Sequence, residues 1–277
     1  MTRIGIIARV TFHEAARKKL LVMALLAGIA FLLLFATAAH FQVAAFDNQH
    51  VPLFIRKQVM SGMVLMGLYA IDLMVVVMTV LTSVDTLSGE IASGSIQAIA
   101  TKPVRRWEVV AGKWLGFAGM LTLYILLMVA GVNAVTHVMA GVTARHVFQG
   151  IALIWLESTL LLSLTLFFGS SFSTLTNGAL VLGLHGLAFL GGWIEQAGAL
   201  THTPKAVTVG VVASILMPSE ALWRRAAFEM QSPLATAVNF APFSGASVPS
   251  SAMIAYAALY ALLFLALAIR RLSRRDL

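Results

Sequence analysis

DTLSGEIASGSIQAIATKPVRRWEVVAGKW, residues 85–114, is a polar island between two apolar stretches long enough to cross a membrane. It predicts two short helical pieces, one over 89–100 and a second opened by Pro103, whose fixed φ and missing N–H suit a first helical turn. In the second piece Val104, Trp107, Val110, Ala111 and Trp114 share a face, with Arg105, Arg106 and Lys113 off it. An island of this kind is shaped to lie against a partner.

Hydrophobic residues make up 60% of the 277-residue chain and charged residues only 11%, against roughly 25% charged in ordinary soluble domains. That excludes a water-soluble globular domain and predicts an all-α polytopic membrane protein. Spans of about 20 residues are expected over 20–39, 63–84, 115–136, 147–169, 179–194 and 251–269. Six spans leave little chain for a soluble domain. With no cysteine there is no disulfide, thiolate metal site or cysteine nucleophile.

The net charge of +8 would suit a nucleic acid, but its placement argues for a membrane instead. Arg3, Arg9, Arg17, Lys18 and Lys19 precede the first span, Lys102, Arg105, Arg106 and Lys113 occupy the island, and Arg270, Arg271, Arg274 and Arg275 follow the last span. An even number of spans puts these thirteen of the 19 basic residues on one side, which the positive-inside rule makes cytoplasmic.

Residues 1–19 predict an interfacial helix, with Ile4, Ala8, Phe12 and Ala15 on one stripe and Arg9, His13 and Arg17 opposite. A signal peptide is the weaker reading, because the leading region and the apolar core are both too long. Residues 170–178, ending in Asn177-Gly178, predict a tight turn between the fourth and fifth spans. The apolar run 207–217 lies between Pro204 and Pro218 and is too short to cross, so a re-entrant or interfacial element is expected. Ser219 is then expected to cap a helix with Leu222, Ala226 and Met230 on one face and Arg224 and Arg225 away from it. Residues 231–250, with Pro233, Pro242 and Pro249, read as an irregular outer loop.

No Gly-x4-Gly-Lys-Ser/Thr occurs, so the chain is not its own ATPase, and no hydrolase or metalloprotease signature appears. Carboxyl groups within spans are costly and therefore candidates for function. Asp72 shares a stripe with Tyr69, Thr79 and Ser83, while Glu157 is flanked by Ile154, Leu161 and Leu164 and needs a partner from another helix. A gating or pathway cluster and a buried structural network are equally open for this pair. His185, in a glycine-rich span, reads as a packing residue, and Trp193 and Glu195 as interfacial anchors. The seven histidines show no metal-site spacing, and the dispersed methionines read as filler.

The pattern Gly89-Glu90, Ser93 to Gln97, Lys102 to Glu108 and Gly112 to Trp114 resembles the first cytoplasmic loop of ABC-2 type transporter permeases. In particular it resembles the subgroup that includes the permease of the nitrous oxide reductase maturation system. The run Ile7-Ala8-Arg9 with His13 to Lys19 resembles the family's opening helix. The resemblance implies one transmembrane domain over 1–277, with an interfacial helix over 1–19, a coupling loop over 85–114 and an outer helical element over 197–250. It also implies that the loop seats in a groove on a separate ATPase subunit, through Gly89, Glu90, Gly94, Pro103, Arg105, Arg106 and Trp107. Two permease copies, or this chain and a paralogue, would pair with two ATPase subunits in a bacterial inner membrane. ATP and magnesium would bind the partner and no cofactor this chain. An extracytoplasmic accessory protein would be a further partner. Two rival readings remain: a membrane scaffold that holds an outer partner, and an ion-coupled secondary transporter using Asp72 and Glu157.

Overall fold

Among the described residues, long apolar runs without turn signals give six helices that can cross a membrane: Leu21–Asn48, Leu53–Glu90, Arg106–Ala140, Val147–Gly169, Thr174–Leu200 and Ser251–Ser273. The computed structural model describes residues 3–17, 19–92, 105–232 and 247–274, and these hold ten helices and no strand. In order they are α1 (Arg3–Arg17), α2 (Lys19–Asn48), α3 (Leu53–Ser83), α4 (Asp85–Ala92), α5 (Arg106–Ala140), α6 (Val147–Gly169), α7 (Thr174–Leu200), α8 (Pro204–Leu216), α9 (Ser219–Met230) and α10 (Ser251–Ser273). The fold is the all-α polytopic arrangement expected from composition.

The helices overrun the expected spans because polar residues at their ends find partners. Helix α3 starts well before residue 63, and Arg56 in its first turns pairs with Asp47 and donates to the Phe46 and Val51 carbonyls at 2.9 and 2.8 Å. That ties the end of α2 to the start of α3. The turn between α6 and α7 occupies 170–173, so Asn177 lies inside α7 and not in the turn. Its buried amide donates to the carbonyls of Val84 and Thr165 at 3.1 and 3.0 Å, fastening α7 to α3 and α6.

Helices α3, α5 and α6 form the centre, where Leu68, Ile71, Ile125, Met128, Ile154 and Leu161 are sealed from the surface. Burial covers 61%, 56% and 67% of their apolar windows but 11% of that in α2, whose Met23, Leu26, Leu33 and Leu34 project outward where lipid would lie. Helix α1 turns its stripe onto α5. A Cβ on Gly116 would stand 2.7 Å from the Ala8 carbonyl oxygen, so only glycine allows this approach. Thr11 and Ala15 are buried as a result.

One end of the bundle gathers α1, α4, the start of α5, the α6–α7 turn and the end of α10, and carries most of the described basic residues. At this basic end Ser88 and Asp85 of α4 both bond to Thr174, at 2.8 and 3.0 Å.

Helices α8 and α9 meet at a 107° bend over Met217 and Pro218. Helix α8 runs back along α7, where a Cβ on Gly210 would lie 2.6 Å from the Gly191 carbonyl oxygen and one on Gly198 2.7 Å from Ala206. Helix α9 then returns along α6 until the Met230 carbonyl accepts from the Arg145 N–H at 3.1 Å. Both ends of this pair therefore lie at the end of the bundle opposite the basic one, and its bend reaches the middle, which is a re-entrant geometry. Carbonyls at a helix end within a bilayer need donors. Tyr256 and Tyr260 of α10 supply them, donating to the Ile215 and Leu216 carbonyls at 2.6 and 3.0 Å.

Candidate functional site

Two polar sites stand out, one at the basic end and one at mid-depth. At the basic end, Gly94 and Pro103 fall in 93–104, outside the described residues, so the geometry concerns the two stems on either side. The first stem is α4, which carries on from α3 and holds Gly89 and Glu90 in its last turn. The second opens at Arg105, whose N–H donates to the Glu108 carboxylate at 2.8 Å and so caps the first turn of α5. Arg106 donates to the Leu272 and Ser273 carbonyls, both at 3.3 Å, which fixes the start of α5 to the end of α10.

The two stems are bolted together by an ion pair between Glu90 and Lys113. The Lys113 side chain is 7% exposed and that of Glu90 27%. Lys113 also donates to the Thr86 carbonyl at 3.3 Å. Beside this pair opens a pocket of about 460 Å³ lined by Thr11, Glu14, Asp85, Glu90 and Lys113, which brings α1, α4 and α5 to one place. Lys113 was not singled out as a site residue by sequence. The available signal is a lysine about two turns inside an apolar helix, which needs a counter-charge.

The expected partner-facing stripe of 104–114 is corrected in part. Val110 is 0% exposed and Trp114 is partly buried, its indole N–H donating to Ser163 at 3.0 Å and its ring meeting Trp155 edge-on at 6.4 Å. Trp107, at 38% exposure, keeps a large apolar surface outward. The reason is that α5 is a central helix, so a stripe continuing down it is claimed by α1 and α6.

At mid-depth, Asp72 of α3 and Glu157 of α6 lie in one buried cluster, 4% and 1% exposed. Each lies near the middle of its helix. As carboxylates neither can donate to the other, and Asp72 Oδ1 and both Glu157 oxygens have no donor. His185 of α7 places Nδ1 3.9 Å from Glu157 Oε1 and 3.0 Å from the Ser219 hydroxyl. Glu220, next to Ser219 at the re-entrant bend, is also buried and within Coulomb range of Asp72. Tyr69 closes the site with its ring against Trp223 at 5.3 Å and Phe189 at 6.4 Å.

Several expectations change here. Ser219 is the first residue of α9, with Pro218 in the capping position, and its hydroxyl goes to His185 instead of a cap. Thr79 and Ser83 share the stripe of Asp72 but donate to their own helix, at the Val75 and Thr79 carbonyls, and add nothing to the cluster. Glu195 is not an interfacial anchor, and Arg224, off the Leu222, Ala226 and Met230 face, is buried with it. They form a buried two-pronged pair at 2.8 and 3.0 Å, with Arg224 also donating to Ser214 at 3.0 Å. Among the described residues no group of histidine and carboxylate side chains is arranged to hold a metal ion.

A family model described as ABC-2 family transporter protein matches residues 6–277, nearly the whole chain. No curated protein matches it significantly.

Proposed function

Because the chain belongs to the ABC-2 transporter family, we propose that it couples ATP hydrolysis on a separate ATPase subunit to movement of a substrate across the membrane. Membership makes it a membrane subunit of an ABC transporter that works with an ATPase partner. In the proposed assembly two permease copies, or this chain and a paralogue, engage two ATPase subunits, which bind the ATP and magnesium. The basic end with both termini faces the cytoplasm of a bacterial cell, and the re-entrant pair faces outward. An outer accessory protein would meet that far side.

The observation that carries this reading is the Glu90–Lys113 pair beneath the polar island. A loop that transmits force must be stiff where it joins the membrane helices. Here both stems are locked, α4 to α5 by Glu90 and Lys113 and α5 to α10 by Arg106. A push on residues 91–112 therefore reaches α3, α5 and α10 together, and through the Gly116 contact it also reaches α1. Trp107 presents the apolar surface for the partner, with Arg105 at its rim.

The test is co-purification of the ATPase with the full chain from its native membrane. Large aromatics seated in a partner commonly account for roughly 2 kcal/mol or more, and rim charges for less. Trp107→Ala should therefore reduce ATPase recovery or uncouple its activity, whereas Arg105→Ala should change it little. Full ATP-driven activity in both variants would refute docking through this face.

A further inference from the structure

The mid-depth cluster has a composition that a purely structural network would not choose. Three carboxyl groups, Asp72, Glu157 and Glu220, come together with one imidazole, His185. Charged and titratable groups face them from the elements packed around the cluster. Helix α3 brings Tyr69 and Asp72, α6 brings Glu157, α7 brings His185 and, further along, Glu195, and α9 brings Glu220 and Arg224. Helix α10 brings the hydroxyls of Tyr256 and Tyr260, which are engaged by α8. Arg224, the cation that α9 brings, is already held two-pronged by Glu195.

Glu157 is left unsatisfied within this cluster. At 1% exposure both of its oxygens lack any donor, and they aim at Asp72 and at the His185–Ser219 pair. Uncompensated carboxylates at the centre of a bilayer are strongly disfavoured, and a buried acceptor without a donor loses its solvation without return. One small cation removes both problems at once. A proton between Asp72 and Glu157 turns two facing acceptors into a donor and an acceptor, and it lowers the charge. A metal ion would need several ligands converging on one point, and no such convergence occurs among the described residues.

We propose that Asp72, Glu157, Glu220 and His185 form a proton-binding site at mid-depth, closed by the bend of the re-entrant pair. Exchange with water has a polar route. From Glu220 it passes to Arg224 and Glu195, and then to Ser247, whose hydroxyl donates to Glu195 Oε1 at 2.5 Å. Because α8 and α9 supply one wall, a movement of that pair changes what faces Glu157 and so changes how tightly the proton is held. The site needs no ATPase and does not depend on the permease reading.

The test uses the purified full chain in lipid nanodiscs and infrared spectroscopy. The unaltered protein at neutral pH should show the carbonyl stretch of a protonated carboxyl, shifted when water is replaced by D2O and lost as pH is raised. Glu157→Gln and Asp72→Asn should each remove most of that band, because an amide absorbs elsewhere. Replacing sodium by choline should leave it unchanged. Absence of the band in the unaltered chain overturns the proposal, and that arm does not depend on any variant folding. Persistence of the band in the double variant, or its collapse on adding sodium or potassium, overturns it as well.

Discussion

Replacing Lys113 by methionine keeps most of the length and the apolar character of the stem and removes its charge. Glu90 then loses its ion pair with Lys113, and the Thr86 carbonyl loses that donor. Breaking a fully buried ion pair costs about 3–5 kcal/mol, while an exposed pair is worth about 0–1 kcal/mol. Lys113 belongs to the first class at 7% exposure, but water reaches Glu90 at 27%. The expected coupling therefore lies between the two limits, at about 2 kcal/mol, or roughly thirtyfold in an equilibrium constant. The assay is a double-mutant cycle on the full chain, with Lys113→Met, Glu90→Gln and the double variant unfolded reversibly in mixed micelles. Either single change should destabilise by most of that amount, and the double variant should lose much less than the sum. Additive losses would show that the two side chains do not act as a pair. If the cycle shows coupling but ATP-driven activity is untouched in every variant, the pair is structural and does not transmit force.

Single cysteines placed at Ser93 and Ser247 in this cysteine-free chain should label from opposite sides of the membrane, and labelling of both from one side would refute the topology. Arg224→Met should destabilise by about 3–5 kcal/mol in thermal unfolding, because it leaves the Glu195 carboxylate buried and unpaired, and adding Glu195→Gln should recover much of the loss; equal stability of the single variant and the unaltered chain would contradict the assigned pair. Tyr260→Phe removes the donor to the Leu216 carbonyl, an orphaning worth about 1–3 kcal/mol. Amide exchange around 213–219 should speed up, and unchanged protection there would show that the bend does not rely on that hydroxyl.

The six spans, the grouping of basic residues at one end, the polar island and the interrupted stretch between Pro204 and Pro218 were all legible in the sequence. Hydropathy and charge add up locally along a chain, and a bilayer reads them locally, so no tertiary information is needed to place a span. Asp72 and Glu157 were legible as candidates for the same reason, since a carboxyl in an apolar run stands out wherever it packs. Only the tertiary structure decided what these residues face. Helices as uniformly apolar as α3, α5 and α6 carry little periodic signal, so sequence could not say that Val110 and Trp114 turn inward while Trp107 stays out. Nor could it pair Glu90 with Lys113, Glu195 with Arg224, or Glu157 with His185. Those partners lie on different helices, and which helical faces meet is set by close approaches at small residues such as Gly116 and Gly210 and by where Pro218 bends the chain back into the bundle.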